Sequence, residues 1–197
     1  MEGVGYESTR MEHRDKQWLA RYREGDVSAL GEMVEFYRRP LFGFILRMTE
    51  GRDEADDIFQ EVWIRAIRHL DTFKERRFLS WLFRIAHNLI IDRARKKKPD
   101  TSLQEGKEDE PTLEERTASP GPSPADEADY ADMKSRIRTA VNRLPPDQKA
   151  VFLMRMEGDL SFKEIARIQN VSINTALARM HYALDKLKGD LAEEYSR

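Results

Sequence analysis

The chain has 197 residues, 36% of them charged, no cysteine and a net charge of −2. That length suits one domain or two small ones, and the lack of cysteine excludes disulfides and thiolate metal sites, so a reducing cytoplasm is the expected compartment. No apolar run approaches the roughly 20 residues a membrane span needs, so no membrane insertion is expected, and the opening MEGVGYESTRMEHRDK lacks the apolar segment of a signal peptide.

In chain order, residues 1–14 read as a flexible tail and 15–98 as a helical module. LGEMVEFYRRPLFGFILRM places Leu30, Met33, Val34, Tyr37, Leu41, Phe44, Ile45 and Met48 at three- and four-residue steps, with Pro40 expected to kink or interrupt the helix. Gly51–Asp53 marks a turn with Asp53 as N-cap. The next helix, DEADDIFQEVWIRAIRHL, repeats Ala55, Ile58, Phe59, Val62 and Ala66 on one face. A third, FLSWLFRIAHNLIIDRARKKK, turns Leu79, Leu82, Phe83, Ala86, Leu89 and Ile90 inward and ends in five cations within six residues.

Residues 99–129 break this pattern. They hold ten Asp/Glu against Lys107 and Arg116 and five of the eight prolines, leaving the segments on either side each at +3. Such a strap buries too little apolar surface to offset its ordering entropy, so it reads as a flexible acidic linker between two mildly basic modules.

The second module, 130–194, is again helical. Met133 to Leu144 forms one helix, stopped by Pro145-Pro146. Asp147 is expected to cap a second, which Gly158 ends. Ser161 and Glu164 form a capping box for a third, Asn170 occupies a turn position that needs tolerance of the left-handed conformation, and Ala166 is small where helices cross. The last helix starts near Ser172 with Ile173, Ala176, Met180, Leu184, Leu187 and Leu191 inward. The expected fold is all-α: two small helical domains joined by a flexible acidic linker, the C-terminal one a helix-turn-helix.

An enzyme would need parts that are missing. There is no GxxxxGK[ST], GxSxG or HExxH motif, and His13, His69, His87 and His181 are dispersed. No catalytic residue, cofactor or metal site is expected. Three features remain. Asp56, Asp57, Gln60 and Glu61 with Trp63 make an acidic helix face with an aromatic at its edge. Acids in a first helical turn suit the macrodipole and water, whereas an aromatic with a charged rim suits a protein partner; the residues alone leave both open. DTFKERRFLSWLFRIAHNLIIDRARKKK joins aromatics, which stack on unpaired bases, to cations, which track phosphates, although much of it would equally serve a core and a helix C-terminus. Finally, SFKEIARIQNVSINTALARM has helix-turn-helix spacing, which an ordinary three-helix bundle would share.

Taken in this order, the three segments resemble the extracytoplasmic-function group of bacterial RNA polymerase sigma factors, over roughly Trp18–Lys98 and Met133–Leu191. The resemblance implies a specificity subunit of core RNA polymerase rather than an enzyme. It implies that Asp56, Asp57, Gln60, Glu61 and Trp63 face the β′ clamp helices and that the C-terminal domain meets the β flap. At the −10 promoter element it implies Phe73, Lys74, Arg76, Arg77, Trp81, Arg84, Asn88, Asp92, Arg93, Arg95, Lys96, Lys97 and Lys98, with an unpaired base captured between the loop Leu70–Phe78 and the following helix. At duplex −35 DNA it implies Lys163, Ser172, Asn174, Thr175, Leu177, Ala178, Arg179, His181, Tyr182 and Lys186. The acidic strap would thread near the path of RNA as a mimic of nucleic acid, and an anti-sigma factor is a family expectation that no residue here supports. Two departures stand out: KERRFLS replaces small polar residues in the loop, and Leu177, Ala178 and Tyr182 replace the usual basic and hydroxyl residues of the reading helix. The alternatives are a stand-alone helix-turn-helix regulator and a purely protein-binding regulator.

Overall fold

A computed structural model describes residues 3–74, 77–97 and 124–195, so most of the acidic strap (98–123), with Arg76 and Lys98, lies outside the described residues. The described elements are helical: α1 (Gly3–Arg23), α2 (Ser28–Met48), α3 (Arg52–Arg68), a short 3-10 turn (Leu70–Thr72), α4 (Phe78–Lys97), α5 (Pro124–Asn142), α6 (Pro146–Gly158), α7 (Phe162–Gln169) and α8 (Ile173–Tyr195). There is no strand and no helix long and apolar enough to cross a membrane among the described residues.

Helix α2 is the spine of the first unit, packing against α1, α3 and α4. Its inward residues, Ala29, Met33, Tyr37, Leu41, Phe44 and Ile45, follow the three–four spacing that one buried stripe requires. Pro40 does not interrupt it, and the helix runs unbroken from Ser28 to Met48. The stretch expected as a tail is helical from Gly3. The bend between α1 and α2 is set by Gly25 at φ +96°, a left-handed value that suits glycine. Arg21 closes it, donating to Asp26 at 2.8 Å and to both oxygens of Glu32.

In the second unit α8 packs along α5, α6 and α7 through Ala176, Ala183 and Leu187. The small residues allow close helix approach. Helix α5 begins at Pro124, six residues inside the stretch expected as linker. Asp53 and Asp147 lie inside the first turns of α3 and α6 rather than capping them; the N-caps are Gly51 and Pro145, whose extended ψ values of 170° and 142° supply the non-helical backbone a cap position needs.

The two units share one continuous core. Helices α6 and α7 lie against α2 and α4, and Gly158 sits so close to the buried Phe83 ring that a Cβ there would stand 2.9 Å from Cζ. Gly158 is the last residue of α6, and Asp159 takes the left-handed position at φ 44°. Around this contact Arg47 donates to Glu157 at 2.5 Å, while Arg77 donates to Glu164 and to the Asp159 carbonyl, both at 3.2 Å.

Candidate functional site

Three surfaces carry the residues singled out from sequence. On α3, Asp56, Asp57 and Gln60 are exposed, and Glu61 is half-buried because Arg65 and Arg93 hold it at 2.6 and 3.3 Å. The Arg65 hydrogen bond, opposed by burial and aided by Arg93, keeps the Glu61 carboxyl below the ordinary carboxylate range. Trp63 corrects its expected placement at the edge of this face. It is only 6% exposed, its ring packs beside Phe59 and Phe78, and its indole N–H finds no partner among the described residues. The exposed apolar residues are Ile64 (49%) and Ile67. Both follow the acids at helical spacing, so the face offers an acidic rim and an aliphatic centre. A period count that rewards aromatics misses them, because isoleucine in a helix reads as core.

The second surface is built around Phe78, which is fully buried. Four rings surround it, those of Tyr37, Trp63, Phe73 and Trp81, with centroids 5.3–6.1 Å away. Phe73 and Trp81 are the outer members of this cluster; they stand half-buried, 4.9 Å apart, at either end of the loop containing exposed Lys74. Beyond Trp81 the same side of α4 carries Arg84, half-buried, then exposed Asn88, Asp92 and Arg95, at steps that keep one stripe. Arg77, by contrast, is nearly covered by the second unit.

The cationic end of α4 is partly occupied. Lys97 reaches Glu50 and Glu54 at 3.1 and 3.0 Å, Arg93 reaches Glu61, and Arg95 and Lys96 are exposed. The Glu54 hydrogen bond, against a smaller loss from burial, lifts the Lys97 ammonium above its ordinary range. Farther back, His87 is buried with its Nδ1 unpartnered among the described residues; burial pushes its pKa down, while the Asp147 charge and the Asn88 side chain oppose that shift and the Arg179 charge adds to it.

The third surface is the outer side of α8. The local sequence explains how it is presented. Ser161 Oγ accepts from the Glu164 amide at 3.3 Å, and Glu164 accepts from the Ser161 amide at 2.8 Å, completing the capping box of α7. Asn170 adopts φ 53°, ψ 49°, and the Val171 amide turns back to Ala166 at 2.9 Å. This closes α7 with orphan carbonyls satisfied. Ser172 then accepts from the Thr175 amide at 3.0 Å and starts α8. Exposed on that helix are Asn174, Thr175, Leu177, Ala178, His181, Tyr182 (61%) and Lys186, with Ser172 and Lys163 nearby. Arg179 is less available, donating to Asp147 at 2.5 Å and to Gln169 at 2.7 Å, and His181 sits 2.9 Å from Asp185. Ile173 and Leu184 point outward rather than inward; Ala183, an inner residue, is too small to stand out in a hydrophobic pattern.

No group of three His, Asp or Glu able to hold a metal ion occurs among the described residues. The arrangement offers three surfaces: an acidic–aliphatic face, an aromatic platform leading into a polar stripe, and the exposed outer side of α8.

Known proteins share this layout. The family model described as Sigma-70 region 2 matches residues 33–99, and that described as Sigma-70, region 4 matches 134–187. The chain is 32% identical over 190 residues to the ECF RNA polymerase sigma factor SigW of Bacillus subtilis (strain 168), covering 93% of this chain and 100% of that one. It is 26% identical over 189 residues to the RNA polymerase sigma-H factor of Pseudomonas aeruginosa, covering 93% and 98%. Two solved structures have the same fold. One is the sigma factor RpoE co-crystallised with the anti-sigma factor NepR from Bartonella quintana, at a TM-score of 0.64 and 20% identity over 84% of this chain and 98% of that one. The other is CnrH in complex with the cytosolic domain of CnrY, at a TM-score of 0.62 and 21% identity over 91% and 98%.

Proposed function

The chain belongs to the extracytoplasmic-function group of sigma-70 RNA polymerase sigma factors, and from that membership we propose that it joins core RNA polymerase, grips duplex −35 DNA through α8 and captures the melted −10 strand on the Phe73–Trp81 platform. It acts as a specificity subunit, and the phosphodiester chemistry belongs to the polymerase. The observation that carries the −10 assignment is the half-buried Phe73–Trp81 pair, which opens directly onto the polar stripe of α4. A flipped base needs a flat apolar face to replace the stacking it loses, at a cost of a few kcal/mol. Lys74 and exposed Arg95 and Lys96 supply phosphate partners.

The acidic face of α3 docks on the polymerase clamp, with Asp56, Asp57 and Gln60 as the rim. Ile64 and Ile67, rather than buried Trp63, provide the apolar contact, and Glu61 steadies the face through Arg65 and Arg93. On α8, Asn174 and Thr175 offer hydrogen bonds to base edges. Leu177 and Ala178 offer apolar surface to thymine methyl groups. Lys163 and Lys186 are placed for phosphates. Arg77 and Arg179 become available to DNA only when they leave Glu164 and Asp147. The fold neighbour co-crystallised with the anti-sigma factor NepR supports an anti-sigma partner for this chain.

Run-off transcription with purified core polymerase on genomic fragments tests the reading. Promoter-dependent transcripts that appear only when this chain is added are the expected result. Duplex binding without transcripts would instead identify a stand-alone helix-turn-helix regulator.

A further inference from the structure

Asp15 lies on α1, outside the region 2 match that begins at residue 33, yet its carboxylate is 3% exposed in the centre of the first unit. A buried carboxylate is costly unless its oxygens are well bonded. Its two oxygens serve different elements: Oδ1 accepts from the Tyr37 hydroxyl of α2, and Oδ2 accepts from the Phe78 amide at 3.1 Å. That amide is the first of α4 and lies among the donors that a helix leaves unpaired at its start. Asp15 therefore performs the work of an N-cap from 63 residues away in the chain. Its negative charge also faces the positive end of the α4 dipole.

The residue it fixes is the hub of the aromatic platform. Tyr37, the other group it binds, packs its ring 5.6 Å from Phe78, and the Phe78 ring in turn abuts Phe73 and Trp81. One carboxylate thus sets the axial start of α4 and the position of the ring on which the two outer aromatics rest. We infer that Asp15 is a positioning residue for −10 strand capture, holding the Phe73 and Trp81 rings and the start of α4 in the geometry that receives the unpaired base. The inference rests on the −10 assignment proposed above.

Three substitutions separate this role from general stability. Asp15→Asn keeps an acceptor for the Phe78 amide, and its NH2 can donate to a reoriented Tyr37 hydroxyl. Asp15→Ala removes both acceptors. Tyr37→Phe removes only the hydroxyl and keeps the ring. Hydrogen exchange of the 77–81 amides in the free chain should quicken in Asp15→Ala and stay near wild type in Asp15→Asn. The binding probe is short single-stranded DNA selected from a randomised pool on the wild-type holoenzyme and not retained by core polymerase alone. Asp15→Ala holoenzyme should bind it about tenfold more weakly, the scale of one stranded buried donor, with core affinity unchanged. Asp15→Asn should restore binding to within about twofold, less than half of that effect on a free-energy scale. Equal binding by Asp15→Ala and wild type overturns the inference, and so does a parallel loss of strand and core affinity. If Asp15→Ala does not fold, Tyr37→Phe decides: it should quicken 77–81 exchange and weaken strand binding with core affinity unchanged, and unchanged exchange and strand affinity in that variant overturn the inference, because the bond to Oδ1 would then have no measurable hold on the start of α4. If the wild-type holoenzyme selects no strand above core alone, the −10 assignment itself fails and the inference falls with it.

Discussion

At the scale of single residues, two positions make opposite demands on their surroundings. His87 is buried between the units, with its pKa lowered by burial. A base whose folded pKa lies below its unfolded value of about 6.5 binds fewer protons folded than unfolded below that pH, so stability falls as the solution is acidified through that window. Unfolding followed from pH 7.5 to 5 should show a steeper loss for wild type than for His87→Gln. Equal slopes would mean that Asp147 offsets the burial. Asp57 is exposed and makes no ion pair among the described residues, so charge reversal there perturbs a surface and not a core. Asp57→Arg is expected to keep the melting temperature within a degree or two while core polymerase affinity drops at least tenfold, about 1.4 kcal/mol. The same reversal at Glu61 should lower both, since it breaks the pairs to Arg65 and Arg93.

At the scale of elements, what could be read from sequence followed from local chemistry. The turn between α7 and α8 was legible in full, because Ser161, Glu164 and Asn170 satisfy backbone groups within a few residues of themselves. Asp53 and Asp147 misled, since aspartate is favourable both at an N-cap and in the first turn, and only backbone ψ tells the two apart. Trp63, Ile173 and Leu184 misled for another reason: side-chain type states what a residue prefers, and which stripe is covered depends on where the neighbouring helix lies. The apolar outer face of α8 has a checkable consequence. Leu177 is exposed and supports no core, so Leu177→Ala should leave unfolding free energy within about 0.5 kcal/mol. If Leu177 touches thymine methyls, duplex −35 affinity falls about fivefold, the scale of one apolar base contact; an unchanged affinity assigns Leu177 no part in reading.

At the scale of the whole molecule, the packing of the two units was the least legible feature. Periodicity reports that a helix has an inner face, and says nothing about how many partners share it. A hint was present in α4, whose buried positions include Ser80, Phe83 and His87 beyond a single stripe. Such a spread is what a helix between two neighbours shows. Two predictions belong here. Gly158→Ala gains helix propensity of up to about 1 kcal/mol but drives a methyl into a ring that cannot move, a cost of about 1–3 kcal/mol; net destabilisation in chemical unfolding is expected. Glu157→Arg combined with Glu164→Gln removes the Arg47–Glu157 and Arg77–Glu164 ion pairs between the units and keeps an acceptor for Ser161. Small-angle scattering should report a larger radius of gyration with unchanged helical content, and raised salt should move the wild-type chain the same way.

The capping box of α7 has a consequence for how the two units come apart. Glu164 Oε2 is held at once by the Ser161 amide, the Ser161 hydroxyl and Arg77. When Arg77 departs, the carboxylate keeps two of its three donors, and the guanidinium is free to meet water or a phosphate. Neither charge is left stranded in an apolar interior, which is the circumstance that makes buried ion pairs hard to break. The oxygen that orders the helix-turn-helix is thus also the one that holds Arg77 across the joint, so loss of that ion pair leaves the capping box of α7 intact.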